Sequence, residues 1–93
     1  TPPRIWIQPT ALTVYTGESA VLHVYSPDAS SYQWRKNGVW LPAENAPWLE
    51  LSPVGVTDGA TYDVVVSAAD GSFVVSQSAR LHVIPVGTLL IAR

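Results

Sequence analysis

Apolar and polar residues alternate with a period of two along much of this chain. Leu49 and Leu51, for example, flank Glu50. Because successive side chains of a strand point to opposite faces, this alternation predicts half-buried β-strands. The same pattern recurs in segments 12–14, 20–24, 62–66 and 79–83. No segment carries helical apolar spacing over a dozen residues, so the pattern predicts an all-β domain.

Glycine and proline mark the turns between these segments. Asn37-Gly38 and Asp70-Gly71 predict type I′ hairpin turns, in which both central residues adopt positive φ. Segment 41–47 has proline close to both ends and predicts an edge or a loop, because proline cannot donate to a strand ladder. Short strands joined by such turns predict an antiparallel sandwich or barrel.

Composition and charge exclude several classes of protein. The chain has 93 residues, of which 47% are hydrophobic and 13% charged, and this apolar content suits one domain with one core. Four tryptophans and few charges exclude a disordered chain. The net charge of −2 argues against nucleic-acid binding, which needs a concentrated basic surface. No apolar run approaches the roughly 20 residues that span a bilayer, so we expect no membrane insertion.

Several motifs in combination resemble an immunoglobulin-like domain of the I-set kind. Segment 33–38, Gln-Trp-Arg-Lys-Asn-Gly, resembles strand C and its following turn, in which one tryptophan packs at the centre of the sandwich. Segment 49–62 resembles strand E and the tyrosine corner, 14–22 resembles the A′–B hairpin, and 79–83 resembles strand G. The resemblance implies an immunoglobulin-like antiparallel β-sandwich of about seven or eight strands over residues 1–84.

The sequence departs from the family pattern at two places. The family's paired cysteines in strands B and F fall at Val24 and Val64, so the resemblance implies that these valines face each other in the core. Gly59 stands one residue earlier than the family's glycine, yet we expect the Tyr62 hydroxyl to bond the backbone near Asp58. The structural core residues predicted in this way are Val24, Trp34, Tyr62 and Val64.

Strand parity separates the residues that could carry chemistry. His23 and His82 are predicted to point outward from opposite sheets, and Glu50 and Asp63 are separated in the same way. No nucleophile elbow, phosphate loop or metal-binding motif is present in the sequence, which also lacks cysteine. We therefore expect a protein without catalytic activity, metal or cofactor.

The outer face of strands C, F and G is expected to be ordinary solvated surface. Arg35 and Arg80 are predicted to flank Asp63 there and to form cross-strand ion pairs. Exposed pairs of this kind contribute about 0–1 kcal/mol each, so they indicate no ligand.

Tryptophans outside the family core suggest a contact surface. If Ile5 and Ile7 point inward, Trp6 points outward, and the same parity places Tyr25 and Trp48 on that outer face. Contiguous exposed apolar patches usually mark contacts. Trp6, Tyr25 and Trp48 therefore form the predicted interaction surface. The alternative is that each ring covers its own sheet locally.

Three functional hypotheses follow. The first is a module of a larger exported or cell-surface protein that acts as a spacer or as an adhesion surface. It would contact adjacent domains or another protein, and segment 85–93 would be a linker or the start of a following module. Cysteine-free domains that resemble this one occur in bacterial surface and secreted proteins, which implies an extracellular, cell-surface or periplasmic location. The second is a glycan-binding module in which Trp6 and Trp48 form a platform that stacks on sugars. The third is an intracellular structural module.

Overall fold

The computed structural model describes residues 1–86, which form eight β-strands and one short 3₁₀ turn at Val56–Asp58. Most of the predicted linker, residues 87–93, lies outside the described residues. The strands are β1 (Leu12–Tyr15), β2 (Ala20–His23), β3 (Ser31–Lys36), β4 (Val39–Trp40), β5 (Trp48–Leu51), β6 (Ala60–Ser67), β7 (Phe73–Val75) and β8 (Ala79–Ile84). Within residues 1–86, no helix has the length and apolar character needed to cross a bilayer.

The strands form two sheets, which confirms the predicted β-sandwich. The larger sheet has six strands in the order β1-β8-β6-β3-β4, with β7 also paired to β6. The smaller sheet contains β2 and β5. Every pairing is antiparallel except that of β1 with β8.

The predicted hairpin between β1 and β2 is wrong, because these strands belong to different sheets. β1 runs parallel to β8, with Leu12 opposite Leu81. The turn at Gly17 carries the chain across to β2 in the other sheet, and Gly17 adopts a φ of 90°, which favours glycine. Its amide donates a hydrogen bond to the Val54 carbonyl, 2.8 Å away, beyond the end of β5.

The core lies between the two sheets and centres on Trp34, whose exposed fraction is 0%. Val24, Tyr62 and Val64 are also buried. The Trp34 indole N–H donates to the Ala46 carbonyl at 2.8 Å, so the one polar atom of this side chain is satisfied. Burial alternates strictly along β6 and β2, as the period of two predicts. Each fully buried aliphatic side chain contributes about 1.5–3 kcal/mol.

The two predicted hairpin turns differ. Asn37 and Gly38 both have positive φ, 51° and 82°, as a type I′ turn between β3 and β4 requires. The second prediction is wrong, because only Gly71 has a positive φ there, and the Ala68 amide donates to the Ser72 carbonyl at 2.8 Å. The register of Ser67 opposite Phe73 leaves too many residues for a two-residue turn.

The corner before β6 contains the hydrogen bond that the sequence predicts. The Tyr62 hydroxyl donates to the Asp58 carbonyl at 2.6 Å, and the Asp58 carboxylate accepts the Gly55 amide at 2.7 Å. Burial raises the pKa of Tyr62 to about 12. The shifted Gly59 has an ordinary φ of −64°, but a Cβ there would lie 3.3 Å from the Val56 carbonyl oxygen. The close approach of the Val56 carbonyl oxygen therefore favours glycine at position 59.

Candidate interaction surface

The smaller sheet presents its outer face through alternate residues of β2 and β5. These strands are antiparallel, and His23 lies opposite Trp48. Leu22 and Leu49, which form the next pair, are buried, so His23 and Trp48 point outward. Tyr25 follows His23 by two residues and is exposed on the same side.

Trp6 joins this face through a single bridge rather than a strand. The Trp6 amide donates to the Tyr25 carbonyl at 2.8 Å, and the Tyr25 amide donates to the Ile7 carbonyl at 3.0 Å. The Trp6 and Tyr25 rings lie 5.8 Å apart between centroids at an interplanar angle of 65°, which is the edge-to-face arrangement that aromatic pairs prefer.

The predicted inward orientation of strand A is wrong at Ile7. Ile5 is partly buried and packs against the core, but Ile7 is 49% exposed. Prolines at positions 2, 3 and 9 surround this segment and lack the amide protons of a regular ladder. The Tyr25 carbonyl accepts both the Trp6 and the Ile7 amides, at 2.8 and 3.3 Å. Because two consecutive amides donate to one carbonyl, Trp6 and Ile7 do not point to opposite sides as successive residues of a regular strand do. The prediction that Ile7 points inward depended on that alternation.

Three rings therefore remain open to solvent on one face, and we call Trp6, Tyr25 and Trp48 the aromatic face. Their exposed fractions are 62%, 46% and 51%, so none of them belongs to the core. Ile7 and Val21 are exposed beside them and extend the apolar area. Sequence reasoning missed both, although the outward position of Val21 between Ala20 and Leu22 was a readable signal.

A charged pair borders the aromatic face. The Arg4 Nε atom donates to the Asp28 carboxylate at 3.0 Å, and this hydrogen bond lowers the pKa of Asp28. The Arg4 guanidinium also lies 6.0 Å from the centroid of the Trp6 ring, within the range of a cation–π contact. Nothing in the local sequence pattern indicates this pair, because its members lie 24 residues apart.

The outer face of the larger sheet holds a different arrangement. Arg35 donates two hydrogen bonds of 2.7 Å to the two carboxylate oxygens of Asp63, and its guanidinium lies 5.7 Å from the Trp40 ring centroid. The hydrogen bond to Asp63 raises the pKa of Arg35.

The predicted flanking of Asp63 by Arg80 is wrong, because Arg80 lies opposite Thr61. The register along β6 changes by one residue between β7 and β8, which a bulge at 76–78 accounts for.

The titratable groups are scattered. His23 lies on β2 and His82 on β8, in different sheets. Within the described part of the chain, no group of three or more His, Asp or Glu side chains is arranged to hold a metal ion. The candidate site is therefore a surface and not a pocket of reactive groups.

Comparison with known proteins identifies the fold. No protein-family model and no curated protein sequence matches the chain. Solved structures do match. Rst D1-D2 is 22% identical with a TM-score of 0.78, and the match covers 91% of this chain and 50% of that one. The D1 domain of Duf (Kirre) is 19% identical with a TM-score of 0.77, covering 90% and 98%. The fold is immunoglobulin-like.

A third similar structure is the N-terminal Ig1-2 module of the Drosophila receptor protein tyrosine phosphatase DLAR. It is 25% identical with a TM-score of 0.76, and the match covers 94% of this chain and 51% of that one. The chain thus spans about half of the Rst and DLAR fragments and nearly all of the Kirre domain. It corresponds to one immunoglobulin-like unit.

Proposed function

We propose that this immunoglobulin-like chain is a non-catalytic interaction module of a larger exported or cell-surface protein, and that its aromatic face contacts another protein surface. The observation that carries the proposal is the grouping of three half-exposed rings on the outside of the small sheet. Tryptophan and tyrosine are the residues most enriched at the energetic centres of protein interfaces. A contact surface explains why these aromatic rings are exposed to solvent in the isolated chain.

The arrangement of the face supports a protein partner. Ile7 and Val21 add apolar area next to the rings, and the Arg4–Asp28 pair supplies a polar border. An apolar centre with a polar rim is the usual anatomy of a protein interface. The Rst D1-D2 and DLAR Ig1-2 fragments are each about twice the length of this chain, which supports an adjacent domain as the first partner. The assignment to a bacterial protein of the cysteine-free type depends on the sequence resemblance alone.

The glycan-binding alternative receives no comparable support. Sugars stack on the flat face of an aromatic ring, so a glycan site needs ring faces that are open to solvent. The predicted platform is Trp6 with Trp48, and the Arg4 guanidinium lies 6.0 Å from the centroid of the Trp6 ring, near one of its faces. The edge-to-face contact with Tyr25 further restricts access to the Trp6 ring. We therefore keep a protein contact as the proposal.

Oxidative footprinting tests this proposal in the parent protein in its native assembly. Hydroxyl radicals modify exposed tryptophan, and mass spectrometry locates each modified residue. Trp6 and Trp48 are expected to react strongly in the isolated chain and weakly in the parent protein. Trp40 is a matched control, because it is 53% exposed on the other sheet and should react equally in both. Equal oxidation of Trp6 and Trp48 in the two samples would contradict the proposal.

A further inference from the structure

Strand β5 is an edge strand with unused backbone groups. The Val24 amide donates to the Pro47 carbonyl at 2.9 Å, which makes Val24 and Pro47 a hydrogen-bonded pair of the antiparallel ladder. Such pairs alternate, so the pairs of Leu49 and Leu51 with β2 are also hydrogen-bonded. The amides and carbonyls of Trp48 and Glu50 therefore point away from β2. Within residues 1–86, β5 has no partner on that side.

The edge is open because the segment before β5 pairs elsewhere. The Leu41 amide donates to the Trp34 carbonyl at 3.0 Å, and the Trp34 amide donates to the Glu44 carbonyl at 3.2 Å. The Gln33 side chain also bonds the Leu41 carbonyl. Segment 41–47 is thereby attached to β3 in the larger sheet, which leaves the outer side of β5 uncovered.

A cleft of about 260 Å³ lies beside this edge, between the two sheets. Leu49 and Leu51 of β5 line it together with Leu41 and Tyr62, and Ala43 stands at its border. Leu49 and Leu51 face inward, so a strand added to β5 would direct its own inward side chains into the same apolar space. The volume accommodates one large aliphatic side chain.

The charges beside the cleft and along the edge indicate what the outward side chains of such a strand would be. Glu50 is exposed on β5, and Glu44 lines the cleft. The ion pairs among residues 1–86 involve Asp28, Asp63 and Asp70, and neither of these glutamates. The Lys36 ammonium group near the cleft already donates to the Thr57 carbonyl at 2.7 Å. A basic residue opposite Glu50 would form a favourable cross-strand pair.

We propose that the outer edge of β5 binds an extended peptide segment of another protein by strand addition, with an aliphatic side chain in the cleft and a basic side chain beside Glu50. Only a polypeptide backbone offers donors and acceptors at the spacing of alternate strand residues, and recognition of this kind is used by many peptide-binding domains. The edge adjoins the aromatic face, because Trp48 contributes its backbone to the edge and its ring to the face. The proposal is argued from the free backbone groups and the cleft, so it does not depend on the proposed function.

Amide hydrogen exchange tests the proposal with a short synthetic peptide that alternates lysine with valine and leucine. At about 1 mM peptide, the exchange of the Trp48 and Glu50 amides is expected to slow. The Leu49 and Leu51 amides are internal controls, because they already donate to β2 and should change little. Unchanged exchange at Trp48 and Glu50 would overturn the proposal. So would protection that grows with protein concentration in the absence of peptide, because a second copy would then be the occupant.

A pair of substitutions separates the backbone contribution from the side-chain contribution. Glu50→Pro removes the amide proton that points away from β2 and leaves the hydrogen bonds to β2 intact. Proline is tolerated at such edge positions. Glu50→Ala removes the same carboxylate and keeps the amide. Glu50→Pro is expected to weaken peptide binding up to about tenfold more than Glu50→Ala does, because one backbone hydrogen bond is lost. Equal affinities of the two variants would contradict strand addition.

The cleft is tested separately with Ala43→Phe, which adds a ring at the border without removing a buried side chain. The variant is expected to weaken the peptide containing leucine and to have little effect on a peptide with alanine in its place. Near-ultraviolet circular dichroism of every variant checks that the packing around Trp34 is retained. An equal effect of Ala43→Phe on both peptides would refute the role of the cleft.

Discussion

The two sheets of this molecule are built with very different amounts of backbone pairing. The larger sheet contains six strands, and its central strand β6 is paired to β3 along nearly its whole length. The smaller sheet contains two short strands and a single bridge to Ile7. It nevertheless supplies Leu22 and Leu49 to the core, where both are buried. Burial of these inward side chains packs the smaller sheet against the larger one.

This difference also separates the surfaces. On the larger sheet, Arg35 is bound to Asp63 through two hydrogen bonds and lies over Trp40, so its central polar groups are satisfied within the domain. The outer face of the smaller sheet exposes Trp6 and Trp48, and among residues 1–86 no strand pairs with the outer side of β5. Both sheets expose apolar side chains and edge strands, but they differ in arrangement: the Trp40 ring of the larger sheet lies near the paired Arg35, whereas Trp6 and Tyr25 meet edge to face on the smaller sheet.

The largest effect is expected from Trp34→Ala. The variant removes the central side chain of the core and leaves a large cavity, so the free energy of unfolding should fall by about 3–5 kcal/mol, which is enough to unfold many domains of this size. Chemical denaturation followed by circular dichroism measures it. Trp40→Ala is the matched control in the same hairpin, and it should cost less than about 1 kcal/mol because Trp40 is exposed. Similar costs for the two variants would contradict the assigned core.

A smaller loss is expected from Val64→Ala. Val64 is buried on β6, and its truncation should lower the free energy of unfolding by about 1–3 kcal/mol through lost burial and a residual cavity. Val39→Ala provides the comparison, because Val39 is exposed on β4 and its truncation should cost little. A loss below about 0.5 kcal/mol for Val64→Ala would show that this position is less tightly packed than its burial indicates.

Removal of one hydroxyl tests the corner that joins the sheets. Tyr62→Phe should lower the free energy of unfolding by about 0.5–1.5 kcal/mol, because the hydrogen bond to the Asp58 carbonyl is lost. Burial raises the Tyr62 pKa from its ordinary value of 10 to about 12. The folded state therefore keeps this proton longer than the unfolded state does, and its contribution to stability is lost as the pH rises from 10 to about 12.

Comparison of the two proteins across that pH range isolates the tyrosine. The wild-type chain should lose stability more steeply than Tyr62→Phe between pH 10 and about 12. Parallel curves would mean that the hydroxyl titrates as it does in water. Tyr15→Phe is the matched substitution, since it removes the hydroxyl of a tyrosine that is half exposed.

The sequence predicts the regular parts of this fold well and the irregular parts poorly. The alternation along β6 is readable because every second side chain is buried in one continuous strand. Ile7 is misassigned because its orientation depends on a doubled hydrogen-bond acceptor at Tyr25, which no local pattern reveals. Arg80 is misassigned because strand parity gives the face on which a side chain lies but not its register, and the register places Arg80 opposite Thr61 rather than Asp63. The open edge of β5 has no sequence signal, because it results from the attachment of segment 41–47 to β3.

The smallest effect on stability, and the most informative about function, is expected from Trp6→Ala and Trp48→Ala. Both rings are more than half exposed, so their removal should change the free energy of unfolding by less than about 1 kcal/mol. The same removal should weaken the contact of the aromatic face with its partner, because truncation of a central tryptophan commonly costs about 2 kcal/mol or more in binding. Denaturation of the isolated chain measures the first quantity.

Footprinting of the parent protein that carries each variant measures the loss of contact between the aromatic face and its partner. Oxidation of Tyr25 should increase when that contact is weakened. Tyr25 pairs with Ile7 in the isolated bridge, and its ring lies 5.8 Å from that of Trp6, so its oxidation reports on whether the face is still covered. If Trp6→Ala destabilises the isolated chain as strongly as Val64→Ala does, the ring supports the sheet from outside. The small sheet would then be stabilised by its outer rings as well as by its inward leucines, and the core and the contact surface would not be separate.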